Sequence, residues 1–169
     1  DIANLANEEG DYARAADFYV RVVDLYEGDT DAANDDQNKD MLLIAGSWYS
    51  VPSIARYDDA LVVLDRAANL ELLPTFRTMI LRLKTFYKYG KKLKDDAAAE
   101  QDPVAKADLE TRSKELFGRA VEIGIATTNN FPTEGEGFLY LSMSQVEIGE
   151  YTASDANFKT YQELSGGTP

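Results

Sequence analysis

Hydrophobic residues recur along this chain with the period of a helix rather than the alternation of a strand. After Gly10, four residues follow at steps of 3, 4 and 3: Tyr12, Ala15, Tyr19 and Val22. Such steps place all four on one helical face. The small residue between two aromatic ones lets a second helix approach closely, while the rings fill the space above and below. The pattern therefore predicts a helix that packs against another helix.

The same steps recur three more times, at intervals of 45, 53 and 41 residues. The three further copies are Tyr57, Ala60, Leu64 and Ala67; Glu110, Ser113, Phe117 and Ala120; and Tyr151, Ser154, Phe158 and Tyr161. A partner segment with a large residue, a Leu and a small residue precedes several of them. These segments contain Leu42, Ala45, Gly46 and Tyr49, and Phe138, Leu141 and Ser142, while Ile2 and Ala3 match only the end of the pattern. The repetition predicts pairs of helices.

Together these residues resemble the signature of the tetratricopeptide repeat (TPR) family, in which a large residue, Leu, Gly and Tyr are followed by Ala, an aromatic residue and Ala. The resemblance implies an all-α fold: an α-α superhelix of about four antiparallel helix hairpins, a TPR-like solenoid of eight helices. We expect the hairpins at about 1–27, 38–69, 74–127 and 136–164, in one domain spanning 1–164, with a flexible tail at 165–169.

Helix-breaking residues locate the connections. The polar stretch from 27 to 40 is expected to be a long connection, with Gly28 as a helix stop, and Pro52 is expected to end a helix. The third hairpin is expected to be elongated, with helices from Pro74 to Ala99 and from Pro103 to Thr127. Each would have proline at its first position, and Asp102 would cap the second.

The composition argues against catalysis. Among 169 residues there is no Cys and no His, so thiol nucleophiles, Ser-His relays and zinc sites are excluded. A carboxylate hydrolase is the enzymatic alternative, with pairs such as Glu134 with Glu136 or Asp58 with Asp59. Acids that are adjacent in sequence on a link are typically solvated. We therefore expect a protein that is not an enzyme and uses no cofactor.

Four acids in the polar stretch suggest calcium as an alternative to a solvated acidic loop: Asp29, Asp31, Asp35 and Asp40. A calcium loop of this length needs a glycine at its sixth position and a bidentate Glu at its end. Asn34 and Asp40 occupy those positions. We therefore expect a solvated acidic loop and no metal.

The net charge of −13 argues against nucleic acid and anionic membranes as partners. One stretch is positively charged instead, since residues 72–94 contain seven cations and no acid. On a helix, five of these cations form a basic stripe: Arg77, Lys84, Lys88, Lys91 and Lys92. The stripe is predicted to be a solvated face neutralised by acids such as Asp95, Asp96, Glu100 and Asp108. Docking of an acidic protein is the first alternative, and binding of nucleic acid or a lipid head group is the second.

The resemblance also implies a groove lined by the first helix of each pair. Its lining would be Asn4, Glu8, Leu43, Ser47, Leu139, Met143, Val146 and Glu147, which would suit an apolar or mildly basic segment. Ile44 stands where a family version that recognises terminal carboxylates has a polar residue. Packing against another repeat is the alternative role for Leu139 and Met143. Trp48 is expected to be partly buried between helices.

The prediction is thus a non-catalytic scaffold for protein–protein interaction. The alternative is a self-assembling segment of a larger TPR protein, with another copy as the partner. No apolar run approaches the ~20 residues of a membrane span. The chain begins without Met inside a helical pattern, which favours a removed signal peptide or further upstream protein. An exported bacterial protein is favoured over a cytosolic one, because Cys is absent.

Overall fold

The computed structural model describes residues 11–26 and 32–166, with side chains at 11–26 and 35–166. These residues form seven α-helices and no strand. The helices are α1 (Tyr12–Tyr26), α2 (Ala32–Tyr49), α3 (Tyr57–Asn69), α4 (Phe76–Ala99), α5 (Pro103–Asn130), α6 (Gly135–Ile148) and α7 (Tyr151–Leu164). Over this part of the chain, the prediction of an all-α fold with neighbouring helices packed in pairs is confirmed. The helix predicted within residues 1–10 lies outside the described residues, as does Gly28.

The chain divides into two compact units, residues 1–81 and 82–169, and the boundary falls within α4. In the first unit, α1, α2 and α3 enclose a core that includes Leu42, Leu43, Leu64 and Ala60. The half-buried Trp48 ring lies 5.7 Å from the Tyr12 ring and 5.6 Å from the Tyr19 ring. The predicted partial burial of Trp48 is confirmed.

A polar cluster joins α1, α2 and the turn before α3. The Tyr49 hydroxyl and the Arg56 guanidinium both donate to the Asp17 carboxylate, each at 2.7 Å. Arg56 also donates to Asp59 at 2.7 Å, and its guanidinium lies 4.4 Å from the centre of the Tyr49 ring. Burial, followed by the hydrogen bond to Asp17, raises the pKa of Tyr49. These bonds fix where the second helix pair begins relative to α1.

In the second unit, serine hydroxyls tie neighbouring helices together. Ser113 of α5 donates to the Gly90 carbonyl of α4 at 2.8 Å, and Ser154 of α7 donates to the Ser142 carbonyl of α6 at 2.9 Å. Each hydroxyl thus bonds backbone in the adjacent helix, which only a short side chain in a close contact allows. The bonds add to the apolar packing between these helices.

The small residue at the second position of each repeat copy was predicted to face a neighbouring helix. Ala15, Ala60, Ser113 and Ser154 are all buried, and none is more than 5 % exposed. The prediction is confirmed for all four. Close helix packing is therefore a property of each of the four copies.

Three predicted helix boundaries are wrong, one of them the end of α5, which lies at Asn130 rather than Thr127. Helix α2 begins at Ala32, so the polar stretch up to Asp40 is helical rather than a connection. Asp35 lies in its first turn, where negative charge is favourable, and Lys39 pairs with Asp36 at 2.9 Å. Helix α4 begins at Phe76, so Pro74 is not its first residue. Instead, the Glu71 carboxylate accepts the Thr75 N–H at 3.1 Å just before that helix.

The boundary predictions at Pro52, Asp102 and Pro103 agree with the structure. Helix α2 ends at Tyr49, before Pro52. Pro103 opens α5, and the Asp102 carboxylate accepts the Val104 N–H at 2.9 Å. Helices α4 and α5 have 24 and 28 residues, against 14 each for α6 and α7. The predicted elongation of the third hairpin is thus confirmed.

Candidate peptide-docking site on α6

Two sides of α6 are closed by its sequence neighbours. Leu141 faces α5, where a Cβ added at Gly124 would lie 3.0 Å from Leu141 Cβ. Ser142 faces α7, where its carbonyl accepts the Ser154 hydroxyl. Glycine on one side and serine on the other let both helices approach α6 closely.

Helix α4 closes a third side of α6 with aromatic and charged contacts. The Tyr87 and Tyr140 rings meet edge-on at 5.8 Å. The Lys84 ammonium pairs with Glu136 and lies 5.3 Å from the centre of the Tyr140 ring. Burial, followed by the charge of Glu147, raises the pKa of Tyr87.

Near the end of α6, Glu147 forms ion pairs with two more cations of α4. Lys94 pairs with it at 2.5 Å and Lys91 at 3.9 Å, while the Glu147 side chain is only 12 % exposed. The hydrogen bond to Glu147 raises the pKa of Lys94. Together with the pair between Lys84 and Glu136, these contacts form a charged seam along the α4 side of α6.

The remaining side of α6 is apolar. At 100° per residue, the α4 contacts Glu136, Tyr140 and Glu147 fall within one narrow sector, and the α5 and α7 contacts fall in two others. The sector left over contains an apolar strip of three residues: Leu139, Met143 and Val146. Leu139 and Met143 are half-buried, and Val146 is 48 % exposed. The strip is therefore accessible and borders the charged seam.

Four of the predicted groove residues thus lie together on α6: the three of the apolar strip and Glu147. The four others do not join them. Leu43 is 1 % exposed and packs in the core of the first unit, so its assignment to a groove is wrong. Ser47 is half-buried and donates to the Ile44 carbonyl at 2.9 Å. Asn4 and Glu8 lie outside the described residues.

The basic stripe is largely paired with acids. Arg77 pairs with Asp40 at 2.9 Å and Lys92 with Asp96 at 2.5 Å. Lys84 and Lys91 belong to the charged seam. Lys88 is half-buried, and burial, followed by the charge of Lys84, lowers its pKa. The stripe therefore has internal partners for most of its charge.

Sequence reasoning missed the acids of α6 as partners of this stripe. It named acids near the stripe in sequence, such as Asp95, which pairs with Lys91 at 3.8 Å, and Asp96, which pairs with Lys92. The pairs of Lys84 with Glu136 and of Lys94 with Glu147 join positions 52 and 53 residues apart. The sequence signal for these pairs was the stretch from 72 to 94, which contains seven cations and no acid. Acids that pair with these cations must therefore come from other parts of the chain.

In the described segments, no helix combines the length and apolar character needed to cross a bilayer. The same segments contain no group of three or more acidic side chains placed to hold a metal ion. Asp35 and Asp40, from the calcium alternative, lie on helix α2 rather than in a loop. Comparison with family models, with curated proteins and with solved structures gave no match.

Proposed function

We propose that this protein is a non-catalytic interaction scaffold of TPR-like helix pairs, which holds a peptide or protein segment on the apolar strip of α6. One observation carries the proposal: three sides of α6 are closed, and the fourth presents Leu139, Met143 and Val146. The proposed α-α superhelix is supported by the burial of a small residue in all four repeat copies.

The dimensions of the strip suit a short segment. From Leu139 to Val146 the helix rises ~10 Å, which matches about three residues of an extended chain. Aliphatic and thioether side chains suit an apolar ligand side chain, and Met adapts to different shapes. The seam beside the strip would orient polar groups of the bound segment. The ligand is therefore a segment with at least one apolar residue.

The proposal is tested by selecting 12-residue peptides against the immobilised protein by display and measuring their affinities by calorimetry. Val146→Gln is the informative variant, and Val62→Gln on α3 is its matched control, because both valines are exposed on helices. We expect Val146→Gln to weaken binding about fivefold, since the ligand loses ~1 kcal/mol of apolar contact. Equal binding by both variants, or recovery of no peptide, would contradict the proposal.

A second candidate function is self-association through α7. The third position of the other repeat copies is Tyr19 in α1, which is half-buried, and Leu64 in α3 and Phe117 in α5, which are both fully buried. The equivalent Phe158 in α7 is 42 % exposed, and Tyr151 on the same helix is 65 % exposed. An apolar face of this kind is typical of a surface that another helix covers, and a second copy would supply one.

Light scattering at several concentrations tests this second candidate. Self-association predicts a molar mass that rises with concentration and returns to the monomer value in Phe158→Lys. Thr152→Lys, at an exposed position of α7 that carries no apolar side chain, is the control. A monomer at every concentration would rule out this candidate and would leave peptide docking on α6 untouched.

A further inference from the structure

The elongation of α4 and α5 creates a notch beside the end of α6. Lys94 of α4 lies beside Glu147 of α6. Helix α6 ends one residue after Glu147, at Ile148, whereas α4 continues beyond Lys94 to Ala99, a further ~8 Å. A notch of about 420 Å³ lies there, and Glu147 forms part of its wall. Its volume falls within the usual range for ligand pockets.

The notch has an apolar floor. Ala97 and Ala98 of α4 and Phe117 of α5 contribute to its lining. Ala98 is exposed, while Ala97 and Phe117 are buried and leave only their edges at the surface. The floor therefore offers room for one apolar side chain.

The rim of the notch carries more positive than negative charge. Lys94, Lys106 and Lys114 face Glu110 and Glu147. Lys94 is already matched by Glu147 at 2.5 Å. This leaves two lysines for one acid, Glu110, which lies four residues from each along α5.

The two remaining lysines, Lys106 and Lys114, both lie on α5. In the described part of the chain neither Lys106 nor Lys114 has an ion pair, and both are exposed. They are eight residues apart on α5, so both project from the same helical face. With a Debye length of ~8 Å, salt screens the effect of more distant acids on these ammonium groups.

We infer that the notch binds an acidic side chain, Asp or Glu, adjacent to an apolar side chain in the segment held by α6. The carboxylate would pair with Lys106 and Lys114, and the apolar side chain would cover Ala98 and the edge of Phe117. This inference rests on the proposed function. Glu147 connects the two places, because it lies next to Val146 of the apolar strip and also lines the notch.

The test uses two synthetic 12-residue peptide libraries that differ at one position. One fixes Glu-Leu at its centre with random flanks, and the other fixes Gln-Leu. We expect the full chain to retain the Glu-Leu library threefold to tenfold better, since exposed ion pairs are weak. The preference should fall as salt is raised.

Charge variants assign the preference to the notch. Lys106→Gln/Lys114→Gln should abolish the difference between the libraries. Lys159→Gln/Arg119→Gln removes two exposed cations from outside the notch and should keep it. If the first pair of changes leaves the preference intact, or if neither library is preferred by the unchanged chain, the inference is overturned while peptide docking stands.

A filled notch provides a second readout. Ala98→Leu places a larger side chain in the notch, whereas Ala99→Leu adds the same volume at the next exposed position of α4, which does not line it. We expect only Ala98→Leu to weaken retention of the Glu-Leu library, by threefold or more. Equal retention by both variants would contradict the notch as the site. Retention of neither library by the unchanged chain would overturn the proposed function itself, and this inference with it.

Discussion

Replacing Gly46 by Ala tests the close approach of α2 and α3 most directly. A Cβ added at Gly46 would lie 2.6 Å from Leu64 Cγ, 2.7 Å from Leu64 Cδ2 and 3.2 Å from Val63 Cγ2. Carbon atoms pack best at about 3.5–4.0 Å. Leu64 is fully buried, so its side chain has nowhere to move without displacing other core residues. The two helices must therefore separate at this point or Leu64 must leave its rotamer.

The magnitude follows from two opposing effects. Alanine is favoured over glycine inside a helix by about 1 kcal/mol. Overpacking a well-packed core costs about 1–3 kcal/mol, and three short contacts at once place Gly46→Ala at the upper end of that range. We therefore expect the free energy of unfolding to fall by about 1–2 kcal/mol. With a urea dependence of about 2 kcal/mol per molar, the midpoint should fall by roughly 0.5–1 M.

Urea unfolding followed by tryptophan fluorescence suits this measurement. Trp48 is the only tryptophan of the chain and lies on α2, two residues from Gly46 and against the rings of Tyr12 and Tyr19. Circular dichroism should follow helix content in parallel.

Gly118→Ala is the matched control, because no atom lies within 4 Å of a Cβ added there, inside α5. Since only the helix preference remains, we expect it to raise stability by about 0.5–1 kcal/mol. If Gly46→Ala stabilises the protein as much as Gly118→Ala does, the argument for close contact between α2 and α3 is refuted.

Three further predictions concern polar groups. Asp102→Ala should lower the free energy of unfolding by about 0.5–2 kcal/mol in urea, because the Val104 N–H loses its cap. Asp17→Ala should lower it by about 1–3 kcal/mol, since Tyr49 and Arg56 lose their shared acceptor. Burial and the bond to Asp17 raise the pKa of Tyr49 above its ordinary 10.0, so the neutral hydroxyl is favoured in the folded state. The Tyr49 hydroxyl therefore contributes fully to the free energy of unfolding below pH 10, and its contribution declines as the pH rises further. The difference in free energy of unfolding between the unchanged protein and Tyr49→Phe should shrink from pH 9 to pH 11.5.

Sequence periodicity predicted the helices well because burial follows a helical stripe. Small residues such as Ala60 and Ser154 were found from their spacing alone, and both are buried. The error at α2 has a physical cause: the sequence from 32 to 40 is polar, and a solvated helical turn has the same composition as a loop. Composition alone cannot separate the two when no apolar residue marks the period.

The candidate docking site was predicted only in part. Leu139, Met143 and Val146 were identified from the resemblance, whereas Leu43, identified in the same way, is buried. Periodicity reports which residues share a face but not which neighbour covers that face. The notch was missed for the same reason, since its lining brings together three helices and depends on where α6 ends relative to α4.

The unusual charge of α4 is best understood through α6. Ion pairs at the surface contribute about 0–1 kcal/mol each, and Lys94 and Glu136 are the exposed partners in their pairs, so the charged seam adds little to stability. The seam instead fixes the orientation of α6 about its axis, because the pairs of Lys84 with Glu136 and of Lys94 with Glu147 lie near its two ends. Rotating α6 about its axis would break both pairs and separate the rings of Tyr87 and Tyr140. Lys84, Lys91 and Lys94 of α4 thus hold α6 with its apolar strip outward, and Lys106 and Lys114 line the notch, where α4 extends past the end of α6.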